Sequence, residues 1–197
     1  MTTAADEAIA RAQVSPWSTK AKIGRALWML LRIPLFRMSW HNWYGYRRWL
    51  LRLFGAKIGK SCVIRPTAKI EIPWLLELGD YSSLGDSSII YNLGQITIGR
   101  RVTVSQYAHL CAGSHNFSRR DMPLLRPTIT VGDDAWIAAE SFVAPGINVG
   151  EGAILGARGA AFKDVPAWEI WGGNPARKIR DRGPVSDEPD TNEQRTA

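Results

Sequence analysis

Histidine and cysteine are scarce in this chain, with three and two residues among 197. Cys62 and Cys111 lack metal-ligand spacing, so they offer no disulfide framework or zinc cluster, and a reducing compartment fits them. Long apolar runs are missing too. The most apolar piece, residues 26–31, is closed by Arg32, whereas a membrane span needs about 20 apolar residues. The first 13 residues are polar and no apolar run with a cleavage site follows them, so no secretory signal is expected and the chain reads as cytoplasmic. Acids are absent over a long stretch: after Asp6 and Glu7 there is none up to residue 57, while residues 1–57 carry ten Lys and Arg, a net +8. Residues 181–197 carry −3, and the middle of the chain is close to neutral. The basic charge belongs to the N-terminal segment. No nucleic-acid-binding motif accompanies it, so nucleic acid is not an expected partner.

What is present is a six-residue rhythm. From Val131 the first residue of each six is Val131, Ile137, Val143, Val149, Leu155 and Ala161, and the fifth is Ala135, Ser141, Ile147, Ala153, Gly159 and Val165. A period of six fits neither a helix nor a plain strand. It marks a solenoid in which each six residues make a short strand and a corner, and three such units make one triangular coil. The aliphatic residue points inward. The glycine that often follows it (Gly132, Gly150, Gly156) is expected at a corner with unusual backbone angles. The rhythm starts at Ile58, passes through eight-residue steps near Pro73-Trp74 and Asn92-Leu93-Gly94, and stops after Gly113 until Val131. The count is about five coils and a prism roughly 24 Å tall.

The flanks have other patterns. Residues 1 to about 18 read as loosely attached. Ile23, Leu27, Leu30, Leu31 and Leu35 have helical spacing with Pro34 limiting the run, and a second helix is expected over about 41–54, ending at Gly55. Five of the nine tryptophans lie in this basic segment. It is expected to cap the open end of the solenoid, or to rest on an anionic membrane through residues 19–57. His41 reads as a neighbour in that aromatic cluster, and His109 as a surface or interface residue at a corner. The resulting organisation is 1–57 helical and basic, 58–180 solenoid with a loop at 114–128, and 181–197 an acidic, disordered tail.

Three features in order resemble the hexapeptide-repeat acyltransferases, in particular their sugar and xenobiotic O-acetyltransferases. They are Gly113-Ser114-His115 at the break, the regular run after it, and the turn Gly173-Asn174-Pro175-Ala176-Arg177. Arg47 to Gly59 and Ile72-Pro73-Trp74 resemble the acetyltransferases of the colanic acid biosynthesis type, so the likeness covers about residues 20–180. The resemblance implies a mainly β fold, a left-handed parallel β-helix with an N-terminal helical segment and a C-terminal tail. It implies acetyl-CoA as co-substrate and no metal. The acceptor would be a hydroxyl of a surface or exopolysaccharide, or of its lipid-linked precursor. It further implies a homotrimer with sites between subunits, at the inner face of the membrane if the basic segment docks there. A small free sugar or xenobiotic is the alternative acceptor.

By the same resemblance His115 is the general base, and Asn92 contacts the acceptor or helps position the reacting groups. Trp136, Ala138, Ala144 and Ala157 line a pantetheine groove, and Pro175, Ala176, Arg177 and Arg180 lie by the adenine and phosphates. Where many relatives have Asp after the histidine this chain has Asn116, which leaves the orientation of His115 without an expected partner. Two other readings of the solenoid are weaker. A zinc hydratase needs three histidines and only His109 and His115 are in the repeats; a non-catalytic scaffold leaves the His115 loop and the 173–177 turn without a purpose.

Overall fold

The structure is a computed structural model and describes residues 17–183. The expected loose leader, apart from Trp17 and Ser18, and the expected tail beyond Gly183 lie outside the described residues. The hexads close into coils as the period requires. Coil one is β1 (Lys57–Ile58), β2 (Val63–Ile64) and β3 (Lys69–Ile70). Coil two is β4 (Leu76–Leu78), β5 (Ser83–Leu84) and β6 (Ile89–Tyr91), and coil three is β7 (Ile96–Ile98), β8 (Thr103–Val104) and β9 (His109–Cys111). A hairpin of β10 (Ser114–His115) and β11 (Leu124–Leu125) interrupts. Coil four is β12 (Ile129–Val131), β13 (Trp136–Ile137) and β14 (Phe142–Val143), and coil five is β15 (Asn148–Val149), β16 (Ile154–Leu155) and β17 (Ala160–Ala161). A sixth turn begins at Val165, bridged to Val149, and ends in β18 (Glu169–Gly172), which folds back on β19 (Arg177–Asp181).

Strands of successive coils pair in parallel to give three faces. Face one is β1-β4-β7-β12-β15, face two β2-β5-β8-β13-β16-β18, and face three β3-β6-β9-β14-β17. The fold is a left-handed parallel β-helix with five complete coils. The first and fifth residues of the hexads from Val131 to Val165 are all buried and fill the prism.

The glycines act differently from the expectation. Gly132 and Gly150 do not have positive φ. A Cβ on Gly132 would lie 2.5 Å from the backbone nitrogen of Glu151, and one on Gly150 2.4 Å from that of Ala167. The second hexad position is small because the next coil passes directly over it. The left-handed conformation falls instead on the fourth position, at Asp134, Glu140, Gly146, Gly152 and Arg158.

The N-terminal segment caps coil one. It holds α1 (Thr19–Leu31), whose N-cap Ser18 accepts from the Ala21 amide, a π-helical turn over Arg32–Arg37 that contains Pro34, and α2 (Tyr44–Leu53). A solenoid's first coil has carbonyls with no coil beneath them. Three arginines of α2 and one tryptophan of α1 supply the donors. Arg48 Nη1 donates to the Cys62 carbonyl (2.8 Å), Arg52 Nε to that of Ile58 (2.9 Å), and Trp28 Nε1 to that of Ile70 (2.9 Å). Arg47, fully buried, donates to the carbonyls of Ile64 (2.6 Å), Trp40 (2.8 Å) and His41 (2.5 Å) and to Ser39 Oγ (2.9 Å). This geometry realises the capping expectation.

The packing of α1 is the reverse of an ordinary amphipathic helix. Trp28 is its buried residue, and Arg25 and Arg32 turn inward to Glu71. Ile23, Leu27 and Leu30 share the opposite stripe and face outward.

His109 also departs from expectation. It lies on flat face three rather than at a corner, between the rings of Tyr91 and Phe142 at centroid distances of 6.4 and 5.3 Å, and its buried Nε2 has no hydrogen-bond partner among the described residues. Burial lowers its pKa from the ordinary histidine value.

Two predictions follow from the cap and this face. Replacing Arg47 with Ala leaves the buried Ile64 carbonyl and the part-buried ones of Trp40 and His41 without this donor, and is expected to lower stability by about 2 kcal/mol in urea denaturation. Arg47→Lys recovers only part, because an ammonium cannot reproduce the planar fork. For His109 the unfolded chain binds the proton more readily than the folded one. Stability is therefore full above the unfolded value of about 6.5 and falls as pH drops from there towards the lower folded value. His109→Phe should flatten that stretch of the thermal midpoint-against-pH curve.

Candidate active site

The break in the hexad rhythm makes a short hairpin rather than an open loop. β10 and β11 pair antiparallel, with Ser114 opposite Leu125 and His115 opposite Leu124. At the hairpin base Gly94 admits the returning chain: a Cβ there would sit 2.3 Å from the Pro127 carbonyl oxygen and 2.6 Å from that of Arg126. At the tip, Asn116 Oδ1 accepts from the Ser118 amide (3.1 Å) and Arg119 makes a two-pronged ion pair with Asp121 (2.8 and 2.7 Å). Asn116 therefore shapes the turn and does not orient the histidine.

The orienting group is a backbone carbonyl. His115 Nδ1 lies 2.6 Å from the Met122 oxygen, and His115 is exposed. A carbonyl only accepts, so Nδ1 carries a hydrogen, and in the neutral ring the free lone pair is then on Nε2. Met122 reaches this position with φ of 37°. No sequence signal marks it, since any residue supplies a carbonyl; only the hairpin pairing brings position 122 back to 115.

Asn92 is held by the coil beneath it. It is fully buried, its Oδ1 accepts from the Ile72 amide (2.9 Å) and its Nδ2 donates to the Ile72 carbonyl (2.5 Å). Its amide joins coil two to coil one beside the short helical turn at Pro73–Leu75.

The residues expected around the donor divide into two groups. Trp136 stands exposed on face two, its Nε1 donating to Ser105 Oγ (2.9 Å). Ala157 is exposed at the neighbouring corner between faces two and three. The 173–177 turn sits above that corner, with the Ala160 amide donating to the Gly173 carbonyl (2.9 Å) and the Ala176 amide to that of Ala160 (2.7 Å). Pro175, Arg177 and Arg180 are exposed there, and among the described residues no carboxylate pairs with either arginine. Ala138, Ala144 and Ala176 are only 4 to 5 % exposed within one chain and offer it little side-chain surface. Ala138 and Ala144 occupy the second hexad position, covered by the next coil like Gly132. Ala144 is moreover at the other corner, between faces three and one, from which the His115 hairpin leaves. Within one chain, His115 and the Trp136–Ala157–Pro175 corner thus stand at opposite edges of face three.

Two neutral facts complete the chemistry. Cys62 and Cys111 are free thiols, and among the described residues no three His, Cys, Asp or Glu side chains gather to hold a metal ion.

No protein-family model matches the chain. A protein of Escherichia coli K12, provisionally named the colanic acid biosynthesis acetyltransferase WcaF, is 46% identical over 156 residues, covering 79% of this chain and 86% of that one. A chloramphenicol acetyltransferase of Klebsiella aerogenes is 50% identical over only 52 residues, 26% of this chain and 25% of its own length. Among solved structures, a hexapeptide-repeat acetyltransferase of Vibrio cholerae complexed with acetyl coenzyme A superposes with a TM-score of 0.78 at 21% identity, over 92% of this chain and all of its own.

The hairpin base gives a test that needs no substrate. Gly94→Ala should push the returning chain off coil two, so that trypsin cuts at Arg119, Arg120 or Arg126 several-fold faster while the circular dichroism of the prism is unchanged. Equal cutting of both proteins would show that the base tolerates the methyl group.

Proposed function

The chain belongs to the hexapeptide-repeat acetyltransferases of the colanic acid biosynthesis type, and on that premise we propose that it moves an acetyl group from acetyl-CoA directly to a sugar hydroxyl of a surface or exopolysaccharide or of its lipid-linked precursor. The observation that carries the reading is the bond between His115 Nδ1 and the Met122 carbonyl. It fixes the tautomer a general base needs. Nε2 takes the proton of the sugar hydroxyl as that oxygen attacks the thioester carbonyl; the tetrahedral intermediate collapses, the C–S bond breaks, and the proton passes from Nε2 to the departing thiolate. No covalent enzyme intermediate is required, because the thioester is already activated.

The same reading needs more than one chain. A donor laid along the Trp136–Ala157–Pro175 corner, with Arg177 and Arg180 towards its phosphates, lies across face three from its own His115. A neighbouring prism could set its hairpin against that corner, and a cyclic trimer would make three equivalent sites. In this arrangement 58–180 is the catalytic unit and 17–57 caps and places it. A glycan acceptor has more support than a small free sugar or xenobiotic, because the relative named for colanic acid matches along most of the chain and the one named for chloramphenicol matches a quarter of it.

Thiol release from acetyl-CoA with bacterial polysaccharide or its lipid-linked repeat as acceptor tests the chemistry. His115→Ala should lower turnover by about 10²–10⁴-fold with little change in KM for acetyl-CoA. Retention of full activity would sink the mechanism and leave the family intact. Light scattering should give three times the chain mass; a monomer at micromolar concentration would remove the shared site.

A further inference from the structure

The cap carries an outward surface that neither solvent nor the prism explains. Ile23, Leu27 and Leu30 form the outer stripe of α1, with Leu30 71% exposed, and Leu53 of α2 lines the same groove as Ile23 and Leu27. Between α1 and α2 this apolar surface dips into an open groove of about 1320 Å³, floored by Trp74 and walled by Leu27, Leu31, Leu35 and Trp49. Contiguous apolar surface of this extent marks an interaction site rather than scattered exposure.

The charge around it says what kind. From Trp17 to Lys57 there are nine Lys and Arg and no carboxylate. Among the described residues no acid pairs with Lys20, Lys22 or Arg37, and Arg47, Arg48 and Arg52 donate to carbonyls, which leaves their charge uncompensated. The inward turn of Arg25 and Arg32 matters as well: α1 puts two cations towards Glu71 so that its aliphatic residues can face away. A second copy of this chain would bring a second all-basic cap against the first, and like charges at contact oppose that pairing. No helix among the described residues is long and apolar enough to cross a membrane.

We infer that the outer surface of α1 and α2 docks on an anionic phospholipid bilayer, with Ile23, Leu27 and Leu30 entering the acyl boundary, the groove taking up lipid chains, and Lys20, Lys22 and Arg37 meeting headgroup phosphates. Apolar burial and attraction to anionic lipid act together in this class of interfacial helix, each basic residue near the surface contributing to the attraction. The docking deepens the proposed function by placing the enzyme where a lipid-linked acceptor would be, but its test does not depend on turnover.

The experiment is flotation of the full chain with vesicles. Phosphatidylcholine and phosphatidylglycerol in equal parts should carry most of the protein upward at low salt, and phosphatidylcholine alone several-fold less; high salt should release most of it. Leu27→Asp with Leu30→Asp should abolish flotation, and Lys20→Glu with Lys22→Glu should reduce it several-fold, both with unchanged circular dichroism and unchanged thiol release on a soluble acceptor. Absence of flotation at low salt overturns the inference. So does equal flotation of the aspartate variant. A several-degree drop in its melting temperature or a change in its oligomeric state, with flotation retained, means that this chain or a second copy covers the face and overturns it equally.

Discussion

A solenoid satisfies its backbone only along its axis. Every N–H and C=O that points up or down needs another coil there, and the first coil has none below it. In this protein the missing layer is replaced by guanidinium groups. Arg47, Arg48 and Arg52, all on α2, reach the carbonyls of Ile64, Cys62 and Ile58, and the Trp28 indole reaches that of Ile70. Without donors of this reach, the helices could cover the end of the prism but not satisfy it, and the exposed carbonyls would remain a template for another edge. The choice has an electrostatic consequence: capping with arginine concentrates positive charge at one end of the molecule.

That constraint orders the rest. The register set at coil one passes upward by parallel pairing, from Ile58 to Leu78 to Ile98, and then across the break to Val131 and Val149. Because coils three and four pair directly, the residues between Cys111 and Ile129 are free to leave the prism without disturbing it. The hairpin that bears His115 is therefore carried by rigid neighbours on both sides while making its own local bonds. This is a common arrangement for chemistry on a scaffold, in which the regular part fixes position and the interruption supplies the group.

The period itself was legible in the residues, down to which positions point inward, because a hexad leaves a buried side chain at its first and fifth places whatever the sequence between. Its corner chemistry was misread. Glycine after the aliphatic residue suggests backbone freedom, whereas Gly132 and Gly150 relieve contact with the coil above, and the left-handed angles go to residues such as Asp134 and Glu140. The same sterics withdrew Ala138 and Ala144 from the surface. Helical periodicity located α1 but not its orientation, since spacing says which residues share a stripe and nothing about which stripe meets the prism. At the site, the position of His115 was visible where the rhythm stops. Its partner was not, because a carbonyl leaves no trace in the sequence, and neither does the closure of the Asn92 amide on Ile72.

Stacked coils also make the molecule a ruler. The hairpin leaves after the third coil, so three axial steps of about 4.8 Å separate it from the capped end, a standoff of about 14 Å. Backbone hydrogen bonds hold every one of those steps, and the height of His115 above the cap can change only by whole coils. Any surface against which the cap rests thus selects, by distance alone, which part of a tethered chain comes level with the imidazole.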